Sequence, residues 1–525
     1  MVRERKPLAS GGRKKEWLFY GSLVLVSIFI FLLLGESGYV LFDDSPSYMN
    51  FYANMEGVMP IYPFFLHGNK LLFGEERYLY AVIVEQAVIA SICVILFTGM
   101  IKKRFRLKYW EAYVCYGLTL MPFTTNMPEA MTTHEILTEG LAYAVFYLFM
   151  AALMFAVWDK SFKWLGVSCL AALFLSLIRS QLQILFGVCG VICIYIVLLR
   201  RSKIGIRQWF LRILCGLAGC MIISLAGVVC VGKISSAYQQ FKDEARKEQQ
   251  EITKRQEAQE QPKQQESLET EKEDKIEKKK PELQTSQYVS LIFSRGMYEA
   301  DAEDYLLFED EMVRELYLVL YPFVDREQCR YVYAAPGLWM WRDIVGGIGS
   351  VGRKCFYVQN EFYQNNYPEL AYSGAYSTVR NNNQIQIGLT LIKAHFGRFL
   401  YHTAMLLPQA FICTVFFQIK QIYLLCHLVT LFLYLSAAVL MIWAYRDKKV
   451  GRPYGELMCA VLGTNLVMVL VISLVFFGQQ RYLVYNFGIF YIAYFLLLMQ
   501  LWKLYGRKLL LRIWNCVKGR GSNGE

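Results

Sequence analysis

Apolar runs of about 20 residues recur along this chain, and a helix of that length crosses a hydrocarbon core of about 30 Å. Lipid offers no water to unpaired backbone groups, so each run must satisfy its own hydrogen bonds, as a helix does. The expected fold is therefore an all-α polytopic membrane protein with about ten or eleven spans. The runs lie near 17–41, 78–101, 109–123, 138–157, 163–179, 182–199, 209–232, 421–443, 456–478 and 482–503. The first run follows Arg13, Lys14 and Lys15 in the manner of a signal peptide. It is too long for one and has no small-residue cleavage site after it, so it reads as a retained anchor.

The formal charge of +12 raises nucleic acid as a partner, but the basic clusters flank apolar runs and read as topology signals. Lys102, Lys103, Arg104, Arg106 and Lys108 form one, Arg200, Arg201, Lys203 and Arg207 a second, and Arg446, Lys448, Lys449 and Arg452 a third. The tail after Lys503 is also basic. The positive-inside rule puts these clusters and both termini in the cytoplasm. Segments 42–77, 124–137, 233–420 and the turns at Arg179–Gln181 and Gln479–Arg481 then face outward.

Four regions follow. Residues 1–232 carry about seven spans, 233–287 are a charged low-complexity insert, 288–420 an outward element with interfacial helices, and 421–525 the last spans and basic tail. The insert, as in Glu271-Lys272-Glu273-Asp274-Lys275, lacks heptad spacing and is expected as a solvated helix or a disordered stretch. Beyond it the composition turns to Tyr, Trp, Phe, Gly and Asn, and a folded element of mixed secondary structure is expected. The segment 396–418 contains His395 at its border, Arg398, His402 and Pro408; an interfacial or re-entrant helix pair fits it better than a span. Of 14 Cys, only Cys329 and Cys355 lie in a long polar segment, which leaves a disulfide between them open.

Chemistry-bearing residues concentrate on the outward face. Asp43 and Asp44 follow the first span, with Tyr48, Tyr62 and His67 after them. The next outward segment holds Glu129, His134, Glu135 and Glu139; Arg179 closes one apolar run, and Arg481-Tyr482 opens the last. An arginine presents a planar fork suited to phosphate, and a nearby carboxylate accepts a hydroxyl proton. Plainer readings stand beside this one: solvated loop acids, arginines anchoring span ends, Glu135 meeting a helix N-terminus, and structural histidines.

In order along the chain these residues resemble motifs of the GT-C integral-membrane glycosyltransferases, among them the protein O-mannosyltransferases and aminoarabinose transferases. The resemblance rests on Asp44 with Tyr48 four residues later, Pro60-Ile61-Tyr62-Pro63, Leu72-Phe73-Gly74, Gln86, Thr138-Glu139, Arg179 and Arg481-Tyr482-Leu483. It covers the membrane half and hardly touches 240–390. It departs at Ser45, where mannosyltransferases have Glu, and at Ser180, where Pro often follows the arginine. The resemblance implies a polyprenyl-phosphate-linked sugar donor, a glycan, lipid or protein acceptor, and an inverting displacement on the outer face of a bacterial plasma membrane. It makes Asp44, beside Asp43, the base, and gives Arg179 and Arg481 the departing phosphate. Glu135 or Glu139 orients the acceptor or shares a divalent cation, Mg or Mn, with Asp44. Tyr48, Tyr62, His67, His134 and Tyr482 complete the substrate surface. The alternatives are a lipid-linked glycan flippase and a membrane-anchored envelope scaffold.

Overall fold

The structure, a computed structural model, describes residues 10–506 except 37, 43, 51–57, 125–132, 200–205, 261–286, 338–339, 372, 374, 417–418, 420–421, 448 and 476–479. Asp43, Glu129, residues 261–286 of the charged insert and the side chain of Arg481 lie outside the described residues. The helices are α1 (Ser10–Gly35), α2 (Ser45–Met49), α3 (Ile61–Phe73), α4 (Tyr78–Phe105), α5 (Tyr109–Thr124), α6 (Thr138–Asp159), α7 (Phe162–Ile178), α8 (Ile184–Leu199) and α9 (Ile206–Glu260). They continue as α10 (Gln287–Tyr298), α11 (Glu311–Arg326), α12 (Met340–Asn366), α13 (Pro368–Ala371), α14 (Tyr376–Ala394), α15 (Phe396–Val415), α16 (Tyr423–Arg446), α17 (Arg452–Val475), α18 (Gln480–Leu483) and α19 (Phe487–Leu501).

Eight of these stretches are long and apolar enough to cross a membrane, and the chain is an all-α polytopic membrane protein. They match eight of the ten expected spans; α5 and α7, at 16 and 17 residues, are the two shorter ones. In α6, 83% of the apolar window is buried, against 11% in the stretch Phe210–Lys242. A helix apolar on every side can sit inside a bundle, so α6 is the hub and α9 a lipid-facing flank. Lys160 in left-handed conformation closes α6, and the Ser161 hydroxyl accepts from Trp164 N to open α7. That two-residue corner folds α7 back along α6 and brings the start of one and the end of the other to the same end of the bundle.

The opposite end is tied by charge. Lys102 meets Glu16 at 2.6 Å, Arg104 meets Asp159 at 3.5 Å, and Lys503 meets Glu111 at 2.7 Å. Lys102, Arg104 and Lys503, from clusters expected on one side of the membrane, are thus at one end, remote from Arg179.

The element expected to face outward is helical rather than mixed: among its described residues there is no strand. Its aromatic composition hides a helical period, with Val313, Leu316, Tyr317, Leu320 and Val324 forming the buried stripe of α11. The crossing of α10 and α14 depends on paired glycines, since a Cβ at Gly296 would lie 2.5 Å from the Gly388 carbonyl oxygen. Cys329 and Cys355 are buried in this core as free thiols.

The boundary expected at 232 falls inside α9, which runs unbroken for 55 residues. The charged sequence after it continues the helix because Glu, Lys and Gln are good helix formers that need no apolar face in water. The segment 396–415 is one helix rather than a pair, and it is not among the eight spanning stretches. Its polar residues face the outward element: His395 pairs with Asp304 at 2.8 Å, Arg398 with Asp301 at 2.8 Å and His402 with Glu299 at 2.8 Å. Its far end, with Ala410, Cys413 and Val415, joins the membrane core.

Candidate active site at one end of the bundle

Two loops far apart in sequence are fastened together. The Val40 amide donates to the His134 carbonyl and the Ile136 amide to the Val40 carbonyl, each at 3.0 Å. The buried Ser45 hydroxyl donates to the Ile136 carbonyl at 2.9 Å and accepts from the Phe42 amide at 2.8 Å. Asp44, the N-cap of α2, and Glu135, beside its bridge partner Val40, are thereby held in one layer.

Gln86, fully buried on α4, forms the floor. Its amide donates to the carbonyls of Thr133 and Glu135 at 2.8 and 3.1 Å and accepts from the Tyr62 hydroxyl at 3.2 Å. Gly140 leaves room for it, since a Cβ there would lie 2.8 Å from Gln86 Oε1. The Tyr62 ring meets the Tyr48 ring edge to face at 5.5 Å. Burial, with Glu139 and Asp44 adding to it and Arg179 opposing, pushes the Tyr48 phenol up to about 12. Burial, followed by Tyr48, Glu139 and Glu135, raises the Tyr62 phenol well above its usual value. Both are therefore hydrogen-bond donors at neutral pH and not bases. Burial also lowers His134, favouring its neutral form.

Arg179 closes the layer. Its Nη1 pairs with Glu139 Oε1, and the other Glu139 oxygen accepts from the Thr138 hydroxyl at 2.8 Å. Side-chain exposure is 12% for Arg179 and 2% for Glu139, so the pair is sealed on the carboxylate side and partly open on the guanidinium side. The guanidinium lies over the Tyr482 ring at 4.6 Å, with buried Tyr485 beside it.

A cavity of about 720 Å³ adjoins this pair through Ser180, which follows Arg179, and Tyr482, and Gln181 and Gln183 add polar lining. Its walls are apolar: Ile184, Phe186, Val228, Leu291, Val471 and Ile472 among them. The arrangement is a cation with an apolar trough running from it, which suits an anionic head on a hydrocarbon chain.

Of the residues singled out in the sequence, Asp44, Tyr48, Tyr62, Glu135, Glu139, Arg179 and Tyr482 come together here. His134 contributes its backbone carbonyl to the fastened loops. His67 lies on α3 five residues past Tyr62, about 140° round the helix from it. Arg481 sits in the short α18, and the phosphate role expected of its side chain falls outside the described residues, as does Asp43. The role of Glu139 changes, because its carboxylate is engaged by Arg179 and Thr138. The clasp made by Gln86 was not legible, since a lone Gln in an apolar run names no partner. Among the described residues no three His, Cys, Asp or Glu side chains gather to hold a metal ion.

Comparison with protein-family models, with curated proteins and with solved structures returned no match.

Proposed function

We propose that this protein is an inverting membrane glycosyltransferase that moves a sugar from a polyprenyl-phosphate-linked donor to a hydroxyl on a glycan, lipid or protein acceptor at the extracytoplasmic face. The single observation that carries the reading is the cation–trough pairing: Arg179, paired with buried Glu139, adjoins a largely apolar cavity through Ser180 and Tyr482 and lies near Asp44 and Tyr48.

In this reaction the acceptor oxygen attacks the anomeric carbon and the bond from that carbon to the phosphate oxygen breaks. The bonding pair stays on the phosphate, where Arg179 meets the developing charge. The acceptor proton passes to the Asp44 carboxylate. Tyr48 keeps its proton and donates a hydrogen bond to sugar or acceptor. No step is routed through a metal.

The test is mass spectrometry of the polyprenyl-phosphate pool in cells lacking the gene, with wild type or Asp44→Asn restored at equal level. One glycosylated lipid accumulates without the gene and with Asp44→Asn, and clears with wild type. An identical pool in all three overturns the reading and favours transport or scaffolding.

A further inference from the structure

A second, smaller cavity of about 200 Å³ lies farther along the bundle, and Val467 lines both. On α8 the upper cavity touches Ile184 and Gly187, and the lower one Val188, Val191 and Tyr195. These positions stand at i, i+3, i+4, i+7 and i+11, so they form one stripe of one helix. On α17 the lower cavity touches Glu456, Ala460 and Gly463, the upper touches Val471, and Val467 borders both. This too is one stripe. The glycines on the two stripes stand beside empty space, for a Cβ at Gly187 or Gly463 would meet nothing within 4 Å. The cavities are therefore two widenings of one seam between α8 and α17.

The seam's length decides what fits it. From Ile472 to Glu456 α17 rises about 24 Å. A phospholipid acyl chain fills one leaflet, about 15 Å of a core of about 30 Å. The lining stays apolar down to the foot, where the Tyr195 hydroxyl donates to Glu456 at 3.0 Å. At the top the seam begins beside Arg179 and Tyr482.

We propose that the seam receives the single hydrocarbon chain of a lipid whose phosphate sits at Arg179, and that it acts as a length gauge. A polyisoprenoid chain that crosses the bilayer midplane fills both cavities, whereas a chain of one leaflet's length leaves the lower one vacant. The head-group half of this statement rests on the donor reading above; the chain-length half stands by itself.

The experiment uses the full-length protein in nanodiscs and measures binding of undecaprenyl phosphate and farnesyl phosphate by native mass spectrometry. Wild type binds the long chain at least about ten-fold more tightly. Gly463→Leu, which fills the lower widening and improves helix propensity, removes that preference and leaves farnesyl phosphate binding within about two-fold. Ala460→Leu serves as a second plug should the first variant lose its fold. Equal binding of both phosphates by wild type, or a preference surviving both plugs in folded protein, overturns the gauge. A length preference in a protein that transfers no sugar supports the gauge and removes the transferase reading; transfer without length preference does the reverse.

Discussion

Glu139, one residue into α6, and Arg179, one residue past the end of α7, form a buried ion pair although 40 positions separate them. Removing one partner leaves a charge stranded in low dielectric, at a cost of about 3–5 kcal/mol. Glu139→Gln and Arg179→Gln should each lower the melting temperature measured in detergent, and the double variant should melt above the worse single one. Additive losses would mean that the two side chains do not act on each other.

The Tyr48 phenol gives an alkaline signature. Its folded value of about 12 lies above the ordinary 10, so the folded state holds the proton more tightly. That stability is complete below pH 10 and is lost as pH rises through 12, a difference of roughly 2–3 kcal/mol. Tyr48→Phe should flatten the alkaline limb of a melting-temperature profile relative to wild type. A parallel profile would show that Tyr48 titrates normally.

Asp301 gives an acid signature at the outward element. Burial works to raise it, but Arg398 and Tyr331 prevail and hold it below the usual carboxylate range. A depressed acid contributes stability above its unfolded value and loses it as pH falls. Hydrogen exchange of 396–415 should accelerate below about pH 4, and Asp301→Asn should show fast exchange already at neutral pH. Unchanged protection in that variant would remove Asp301 as the fastener of α15.

Gln86 is the clasp under the site. Gln86→Leu keeps the volume but strands the carbonyls of Thr133 and Glu135, each costing about 1–3 kcal/mol. Limited proteolysis near 125–135 should quicken, and transfer should fall with it. Unaltered proteolysis with lost transfer would instead place Gln86 in contact with substrate.

Some of this was legible in the sequence. The spans were, because a 20-residue apolar run has one stable form in lipid. Asp44 and Arg179 stood out because charge at a membrane boundary is rare enough to notice. Which carboxylate Arg179 would meet was not, since that depends on the corner at Lys160 and Ser161. The polar face of α15 suggested an interfacial pair because its partners Glu299, Asp301 and Asp304 lie about 100 residues away. That the helix carrying the seventh run continues past 232 was not legible, because hydropathy reports where lipid stops and not where a helix does.

The length of α9 has a mechanical side. Its last 18 residues, from Asp243 to Glu260, extend about 27 Å past the end of its spanning stretch at Lys242. Within the membrane the same helix lends Ser224 and Val228 to the wall of the larger cavity. It is a lever with arms of about equal length, one of them against the trough: a tilt of about 10° at the bilayer surface moves Glu260 by about 5 Å.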